Sequence, residues 1–128
     1  MTQTVLVTGS NSGFGYLIAN TLIAAGYQVI GTMRDPKGRN ASIAHELKAK
    51  GVKIIDIDVT DDHSVAAGVE LALSQTDQID VLINNAGVGT LGWQESFNIE
   101  DLKRVFDINV FGVQRMTRAV CFTLPWRL

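Results

Sequence analysis

Short apolar runs alternate with longer amphipathic stretches along most of the chain. The short runs are rich in Val and Ile and are bounded by Gly, Asp or Pro, which is typical of buried strands. The predicted strands cover 4–8, 28–33, 52–57 and 80–84. In the longer stretches apolar residues recur at helical spacing, which indicates helices that pack one face on a core. Helices are predicted over 13–25, between a cap at Asn40 and a stop at Gly51, and from a cap at Thr60 through Leu73.

A further helix is predicted to begin at Asn98, because Asn98 and Asp101 have the spacing of a capping box. Strand and helix units of this length imply right-handed crossovers and a parallel sheet covered by helices on both faces. No internal repeat, low-complexity tract or linker divides the chain. The pattern therefore predicts a single α/β unit.

Composition narrows the class of protein. The 128 residues are 46% apolar and 19% charged, which is globular rather than disordered composition. A net charge of −2 argues against a nucleic-acid partner, and no apolar run approaches the length of a membrane span. The start carries no signal-peptide pattern, and a lone cysteine, Cys121, excludes an internal disulfide. We therefore expect a cytoplasmic protein without a membrane segment; no metal site is predicted, because His45 and His63 have no metal-ligating neighbours.

A glycine-rich loop, 8–15, joins the first predicted strand to the first helix. Gly9 lets the chain leave the strand at dihedral angles that a side chain would resist. Gly13 leaves the backbone open to a pyrophosphate, and Gly15 lets the helix pack closely on the sheet. The free N–H groups and positive dipole end at the start of the helix favour a phosphate. A tight turn without a ligand is the alternative, which the strand-loop-helix context disfavours.

The end of the second predicted strand bears on which dinucleotide such a loop would hold. Met33 stands where a site for NAD would have an acid to bind the ribose 2′-hydroxyl. Arg34 follows, and its guanidinium suits a 2′-phosphate through charge-assisted hydrogen bonds. Asp35 lies one step further into the turn. The sequence therefore favours NADP over NAD, and a solvated arginine in a turn is the alternative for Arg34.

Polar residues also follow the third and fourth predicted strands, where open α/β sheets bind ligands. Asp58 could accept a hydrogen bond from an adenine amino group, and its alternative role is to lead into the next helix. Asn85 could tie loop backbone together, and Ala86 and Gly87 leave space for a nearby ribose. As structure alone, the segment 84–87 is an ordinary turn.

An asparagine interrupts the apolar stripe of the last predicted helix. Asn109 falls at helical spacing from the apolar residues Leu102, Val105, Phe106, Val113 and Met116. A buried asparagine needs hydrogen-bond partners, because leaving it unsatisfied costs on the order of 1–3 kcal/mol. We expect Asn109 to be buried, where it either braces neighbouring backbone or holds a water or a catalytic group. The basic residues of this helix are expected to form a solvated face: Lys103, Arg104, Arg115 and Arg118.

The order, spacing and strand context of these motifs resemble the short-chain dehydrogenase/reductase family over residues 3 to about 120. The resemblance implies a Rossmann-type doubly wound parallel sheet, of which this chain carries the N-terminal half. It also implies an oxidoreductase that transfers hydride between NAD or NADP and a carbonyl or alcohol, with Arg34 selecting NADP. The residues that it implies for cofactor binding are Gly9, Ser10, Ser12, Gly13, Phe14, Gly15, Arg34, Asp58, Val59, Asn85, Ala86 and Gly87. Asn109 matches the family's catalytic asparagine, which positions a proton-relay water.

The sequence departs from the family pattern in the rest of the catalytic set. The family uses a serine, and a tyrosine four residues before a lysine, all downstream of the asparagine helix. Here the only tyrosines are Tyr16 and Tyr27, and the residues four positions on are Asn20 and Gly31. A catalytically inactive nucleotide-binding or interaction fragment is therefore the alternative to an active enzyme.

The family-like pattern also lapses near the end of the chain. We expect a nucleotide-binding domain over 1–120, incomplete on its C-terminal side, and an atypical tail over 121–128, in which Pro125 would break a helix. Our hypothesis for this ending is a shortened or frame-shifted product of a full-length reductase. In the full-length form the partner would be a small-molecule substrate, and the family resemblance allows a homo-oligomer.

Overall fold

The computed structural model describes residues 2–124. Within them, four parallel strands form one sheet: β1 (Thr4–Val7), β2 (Gln28–Met33), β3 (Lys53–Asp56) and β4 (Val81–Ile83). Their order across the sheet is β3-β2-β1-β4. Val5 of β1 pairs with Val29 of β2 on one side and with Val81 of β4 on the other. The chain from β3 to β4 therefore crosses from one edge of this sheet to the other.

Five α-helices flank the sheet in the described part of the chain: α1 (Gly13–Ala24), α2 (Ala41–Ala49), α3 (Asp62–Ser74), α4 (Ile99–Phe106) and α5 (Gly112–Cys121). A 3₁₀ turn, Gln94–Ser96, precedes α4. A π-helical turn, Asp107–Phe111, joins α4 to α5 and is called the π-turn below. This element order confirms the predicted parallel sheet with flanking helices, which is the N-terminal half of a Rossmann-type fold.

Alternate side chains of the strands build a core on each face of the sheet. On one face, Leu6 belongs to a cluster with Val69 of α3 and Met116 of α5. On the other face, its neighbour Val5 belongs to a cluster with Leu47 of α2. Every residue of β1 is buried. Because both faces of β1 are covered, its sequence is a continuous apolar run and not an alternating one.

The helix starts depend on local hydrogen bonds that the sequence indicated only in part. The capping box predicted at Asn98 is confirmed, because its Oδ1 accepts from the Asp101 N–H at 2.9 Å and Asp101 Oδ2 accepts from the Asn98 N–H at 3.0 Å. The cap predicted at Thr60 is wrong. Asp61 is the N-cap of α3 and accepts from the Ser64 N–H at 3.0 Å, whereas the Thr60 hydroxyl donates to the carboxylate two residues before it. A carboxylate at this position also complements the helix dipole.

Asn40 departs from its predicted role as a cap as well. It occupies the N-cap position of α2, but its side chain makes no capping hydrogen bond and donates to the Arg34 carbonyl. The other strand and helix ends lie within one or two residues of the predicted bounds. Of the predicted tail, residues 125–128, with Pro125, lie outside the described residues.

Leu47→Ala should destabilise the fold more than Leu17→Ala. Both leucines lie on helices, but Leu47 is fully buried against the sheet, whereas Leu17 of α1 is 57% exposed. Truncating a buried leucine costs about 2–5 kcal/mol because it leaves a cavity, and an exposed substitution costs about 0.5 kcal/mol or less. Urea unfolding of the two variants measures the difference. An equal loss of stability would contradict the packing of α2 on the sheet.

Candidate functional site

A cavity of about 430 Å³ lies at the carboxyl ends of the strands. Residues that follow β1, β2, β3 and β4 all reach it, together with one residue of the π-turn. This edge is where open α/β sheets bind ligands, because all the parallel strands end there. The lining includes the residues predicted for cofactor binding Gly9, Ser12, Gly13, Phe14, Arg34, Asp58, Val59, Asn85, Ala86 and Gly87. The fold therefore brings residues from four separate loops together at one cavity.

Reciprocal hydrogen bonds hold the loop after β1 against the loop after β4. Thr8 Oγ1 accepts from the backbone N–H groups of Asn85 at 3.0 Å and Ala86 at 2.9 Å. In return, the Asn85 side-chain amide donates to the carbonyl oxygens of Thr8 at 3.0 Å and Gly9 at 3.2 Å. We call these contacts the Thr8–Asn85 bracket. Asn85 thus ties loop backbone together as predicted, and Thr8 is a partner that the sequence analysis missed, although a hydroxyl at the end of a buried strand was a signal for it.

Gly15 makes this close approach sterically feasible. A Cβ at Gly15 would lie 2.1 Å from the Gly9 carbonyl oxygen and 2.5 Å from Asn85 Nδ2. Real Cβ atoms do not approach other atoms so closely, and the first of these contacts is to backbone. The sequence predicted that Gly15 allows α1 to pack closely on the sheet. In the structure, the groups for which Gly15 leaves room are the glycine loop itself and the Asn85 side chain.

The start of α1 opens towards the cavity with its backbone N–H groups free of a side-chain cap. Gly13 lines the cavity with a φ of 53°, and a Cβ there would meet no atom within 4 Å, so this part of the loop faces open space. Ser12 occupies the N-cap position but makes no side-chain hydrogen bond to the helix. By contrast, α3 and α4 both begin with capping side chains. Free N–H groups at a helix start beside an open cavity fit the pyrophosphate of a dinucleotide.

Ser10 is turned away from the cavity. It is fully buried, and its backbone N–H and its hydroxyl both donate to the Thr32 carbonyl, at 2.9 and 3.1 Å. These hydrogen bonds fasten the glycine loop to β2. Ser10, predicted as a cofactor contact, therefore serves here to position the loop. Its neighbour Asn11, which the sequence analysis did not single out, lines the cavity.

At the end of β2, an arginine lines the cavity and the aspartate beside it does not. Arg34 is exposed and forms part of the cavity wall. Asp35 has a φ of 50°, and its carboxylate accepts from the Arg39 N–H at 2.9 Å in the turn that follows β2. The same carboxylate lies where a side chain at Gly38 would be, 2.5 Å from the position of its Cβ. Asp35 is therefore engaged within its own turn.

Asp58 lines the cavity after β3 with a carboxylate that its own loop holds. Its Oδ1 accepts from the Thr60 N–H at 2.9 Å and from the Thr60 hydroxyl at 2.7 Å. Burial raises the pKa of this carboxyl, but the hydrogen bonds from Thr60 and the charges of Arg34 and Arg115 together hold the pKa below its ordinary value. Asp58 is therefore ionised at neutral pH. A carboxylate is an acceptor, which suits the amino group of an adenine.

Asn109 lies in the π-turn and is exposed, so the prediction that it is buried is wrong. Its Oδ1 accepts from the Val88 N–H at 2.8 Å, and its Nδ2 donates to the Val88 carbonyl at 2.7 Å. The prediction fails because the stripe is exposed on the side that precedes Asn109, with Leu102 37% and Phe106 53% accessible, and only Met116 beyond it is fully buried. Of the two predicted roles, the contacts support the bracing of backbone. A role in holding a water or a catalytic group stays a prediction.

Arg115 does not belong to the solvated face predicted for the basic residues of this region. Its side chain is only 23% exposed and forms ion pairs with Asp62 and Asp107. It also donates to the Val59 carbonyl at 3.1 Å. The signal in the sequence was its position three residues after Gly112, beside the buried side of α5. The remaining basic residues are exposed as predicted: Lys103, Arg104 and Arg118.

Two searches of the described residues bear on other kinds of ligand and surroundings. Between residues 2 and 124, no three His, Cys, Asp or Glu side chains are grouped so as to hold a metal ion. In the same span, every helix is too short or too polar to cross a membrane.

Comparison with known proteins matches the chain to one family. The family model for the short chain dehydrogenases matches residues 3–125. Retinol dehydrogenase 8 of Bos taurus is 38% identical over 123 residues, which cover 92% of this chain and 39% of the relative. The NADPH-bound carbonyl reductase from chicken fatty liver gives a TM-score of 0.87 at 28% identity, over 94% of this chain and 50% of that one. The 3-ketoacyl-(acyl-carrier-protein) reductase from Brucella melitensis, in complex with NADH, gives 0.81 at 34% identity, over 91% and 48%.

The fold and these similarities define a segment of an oxidoreductase family. The chain belongs to the short-chain dehydrogenase family, as the motifs in its sequence indicated. It spans about two fifths of the length of the curated relatives that it matches, and about half of the matched solved chains.

Asp58→Asn should lower stability at neutral pH, and the deficit should vanish in acid. An asparagine can keep the hydrogen bonds from Thr60 but loses the charge that Arg34 and Arg115 attract. Because the folded-state pKa of Asp58 is lowered, its charge stabilises the fold above the ordinary pKa of about 3.9, and this contribution is lost as pH falls through the folded-state pKa. Urea unfolding of both proteins from neutral to acid pH measures the gap.

Asp77→Asn is the control for this experiment. Asp77 is exposed and forms no hydrogen bond or ion pair within residues 2–124, so its substitution should leave stability at neutral pH unchanged. A gap between the wild type and Asp58→Asn that stays constant as the pH falls would contradict the electrostatic role assigned to Asp58.

Proposed function

We propose that this chain forms the dinucleotide-binding half of an NADP(H)-dependent oxidoreductase. The observation that carries the proposal is the uncapped start of α1, where Gly13 opens onto a cavity shared with the ends of β2, β3 and β4. Free N–H groups at such a helix start are donors for a pyrophosphate. The neighbouring strand ends then lie where the two nucleoside parts of a dinucleotide extend.

In this proposal each lining segment holds one part of the cofactor. The backbone of the glycine loop binds the pyrophosphate, with Ser12 and Phe14 at its rim. Asp58 and Val59 contact the adenine, and the loop 85–87 lies beside a cofactor ribose. When bound, the nicotinamide supplies a hydride to a carbonyl carbon or accepts one from an alcohol.

The proposed preference for NADP over NAD rests on the contrast between Arg34 and Asp35. A site for NAD needs a carboxylate that can bind the ribose 2′-hydroxyl, but Asp35 already accepts from the Arg39 N–H within its own turn. Arg34 is exposed at the cavity and forms no ion pair in the described part of the chain. Its guanidinium can therefore bind a 2′-phosphate. The related structures contain NADPH in one case and NADH in another, so they favour neither cofactor.

The substrate class that we propose is a small carbonyl compound or the corresponding alcohol. Two of the similar proteins are named for this chemistry, one as a retinol dehydrogenase and one as a carbonyl reductase. We assign Asn109 to the same reaction. The Asn109 side chain binds the backbone N–H and the carbonyl of Val88. The part that we propose for Asn109 in the reaction is to position the proton-relay water used by the family.

A second candidate function is nucleotide binding without chemistry. The observation that favours it is the position of the tyrosines, because neither Tyr16 nor Tyr27 lines the cavity. The Tyr16 hydroxyl donates a hydrogen bond to Glu46 on α2 instead. No other tyrosine is present in the sequence to donate the substrate proton. Saturable NADPH binding by the purified chain, without reduction of a panel of carbonyl compounds, is the result that would favour this candidate.

The proposal also concerns location and partners. Cys121 is the single cysteine and is exposed as a free thiol, which suits a reducing cytoplasm. The net charge of −2 gives no reason to expect a nucleic-acid partner. The partner that we propose is a small-molecule substrate, and the exposed apolar side of α4 is compatible with a second copy of the protein.

Gly13→Ala should weaken NADPH binding about tenfold or more, and Gly26→Ala should not. Both glycines have a positive φ, 53° and 91°, and a Cβ at either would meet no protein atom within 4 Å. An alanine at Gly26 is strained at least as much as one at Gly13, because a φ of 91° lies further from the left-handed region open to other residues. Only Gly13 lines the cavity, where a methyl group would keep the pyrophosphate from the backbone. Fluorescence titration of NADPH into both variants and the wild type measures the difference.

Two results of these titrations would count against the proposal. Equal weakening by the two substitutions would contradict the pyrophosphate site, because backbone strain alone would then explain the loss. A wild-type chain that does not bind NADPH saturably would contradict the proposed function as a whole.

Arg34→Asp should weaken NADPH binding more than NADH binding, by about tenfold or more. The substitution removes a cation from the cavity wall and introduces an anion that repels the 2′-phosphate, which NADH lacks. Arg104→Asp changes the net charge equally on α4, outside the cavity, and should leave both dissociation constants unchanged. Equal loss of affinity for the two cofactors in Arg34→Asp would remove the 2′-phosphate assignment.

A further inference from the structure

Arg115 joins three segments that lie far apart in the sequence. Its Nε donates to Asp62 Oδ1 at 2.6 Å, at the first residue of α3. Its Nη1 lies 2.8 Å from Asp107 Oδ1 and donates to the Asp107 carbonyl at 3.3 Å, where the π-turn begins. The same Nη1 donates to the Val59 carbonyl at 3.1 Å. One guanidinium therefore connects the loop after β3, the start of α3 and the π-turn.

Two of these connected segments form part of the cavity wall. Val59 lines the cavity after β3, and Ile108 lines it from the π-turn. Val59 also packs directly on α5, because a Cβ at Gly112 would lie only 2.9 Å from Val59 Cγ2. The glycine therefore lets the Val59 side chain approach the helix, while Arg115 holds the Val59 carbonyl.

The π-turn continues this connection to the loop after β4. Asn109, in the same turn as Ile108, holds the N–H and the carbonyl of Val88 at 2.8 and 2.7 Å. Val88 lines the cavity next to the loop 85–87. A contiguous series of hydrogen bonds and one helical turn thus links the Val59 side of the cavity to the Val88 side, with Arg115 at its origin.

The chemistry of arginine suits this position. The hydrogen bond to Asp107 raises the pKa of Arg115 above its ordinary value, so the guanidinium is charged at neutral pH. A planar guanidinium can donate to two carboxylates and two carbonyl oxygens at once, whereas a lysine ammonium has a single nitrogen from which to donate.

We propose that Arg115 is a positioning residue for the cofactor site. It holds the Val59 carbonyl and the π-turn in one register, and thereby sets both the adenine side of the cavity and the Asn109 contact with Val88. The consequence for binding rests on the proposed function, because these walls affect affinity only where the cavity binds a dinucleotide. If Arg115 only added stability to the fold, its replacement would increase local opening of the core and of the cavity wall equally.

Arg115→Met tests this proposal, with Arg104→Met as the matched control. Methionine keeps an unbranched apolar stem and removes the guanidinium. The Arg104 side chain is exposed and forms no hydrogen bond or ion pair with residues 2–124. Titrations are run at a temperature where thermal unfolding curves show every variant fully folded. We expect Arg115→Met to raise the dissociation constants of NADPH and of its adenosine-side fragment, 2′,5′-ADP, about tenfold each. Arg104→Met should change neither constant.

Amide hydrogen exchange without ligand supplies the second measurement. In Arg115→Met the Val88 N–H, which donates to Asn109, should exchange about tenfold faster, because the π-turn is no longer anchored. The Leu6 N–H in the centre of the sheet reports global opening and should change much less. Should Arg115→Met fail to fold, Arg115→Lys is carried through both measurements, with smaller effects of the same kind expected.

The outcomes separate this proposal from the proposed function. Equal acceleration of exchange at Val88 and Leu6 would overturn it, because Arg115 would then only add global stability. Unchanged NADPH affinity in Arg115→Met would overturn it as well. If the wild-type chain itself did not bind NADPH, the proposed function would fail, and the exchange comparison alone would decide whether Arg115 holds the π-turn.

Discussion

The Thr8–Asn85 bracket is the contact on which the geometry of the site depends. Pairing between β1 and β4 ends at Val7 and Ile83, and beyond that point nothing in a β-ladder would keep the two loops together. The Thr8 hydroxyl and the Asn85 amide take over as hydrogen-bonding groups for the following residues. The two loops can approach this closely only because Gly15 has no side chain. The glycine-rich loop and the loop after β4 are thereby held at one fixed spacing.

The fold could be predicted from the sequence where local signals determine it. The apolar run of β1 is continuous because helices cover both of its faces, and the capping box at Asn98 is set by residues three positions apart. The π-turn could not be predicted, because no residue in 107–111 distinguishes it from ordinary helix. Its geometry depends on contacts with Val88 in the loop after β4 and with Arg115 on α5. Without the π-turn, the sequence also could not indicate the position of Arg115, because the side of the helix on which Arg115 lies depends on that turn.

The candidate site was predictable in its location but not in every orientation. Spacing indicated that the glycine loop, the end of β2 and the loop after β4 converge, and they do. Spacing cannot indicate which of two adjacent residues faces a cavity, so Ser10 was chosen although Asn11 lines it. The exposure of Asn109 was not predicted for a different reason: whether an apolar stripe is buried depends on what packs against it and not on the stripe itself.

The π-turn also determines which kinds of sequence change this region can accept. An α-helix turns by about 100° per residue, and a π-turn contains one residue more than a regular turn. Phe106 before it is exposed, whereas Met116 after it is fully buried. Deleting one residue within the turn would leave a regular helical turn, whereas deleting one elsewhere between Phe106 and Met116 would rotate the buried side of α5 by about 100° relative to α4. The π-turn is therefore the one part of this helix that could lose a residue while Met116 stayed on the buried side, and in the rest of the helix the number of residues is constrained more tightly than the side chains.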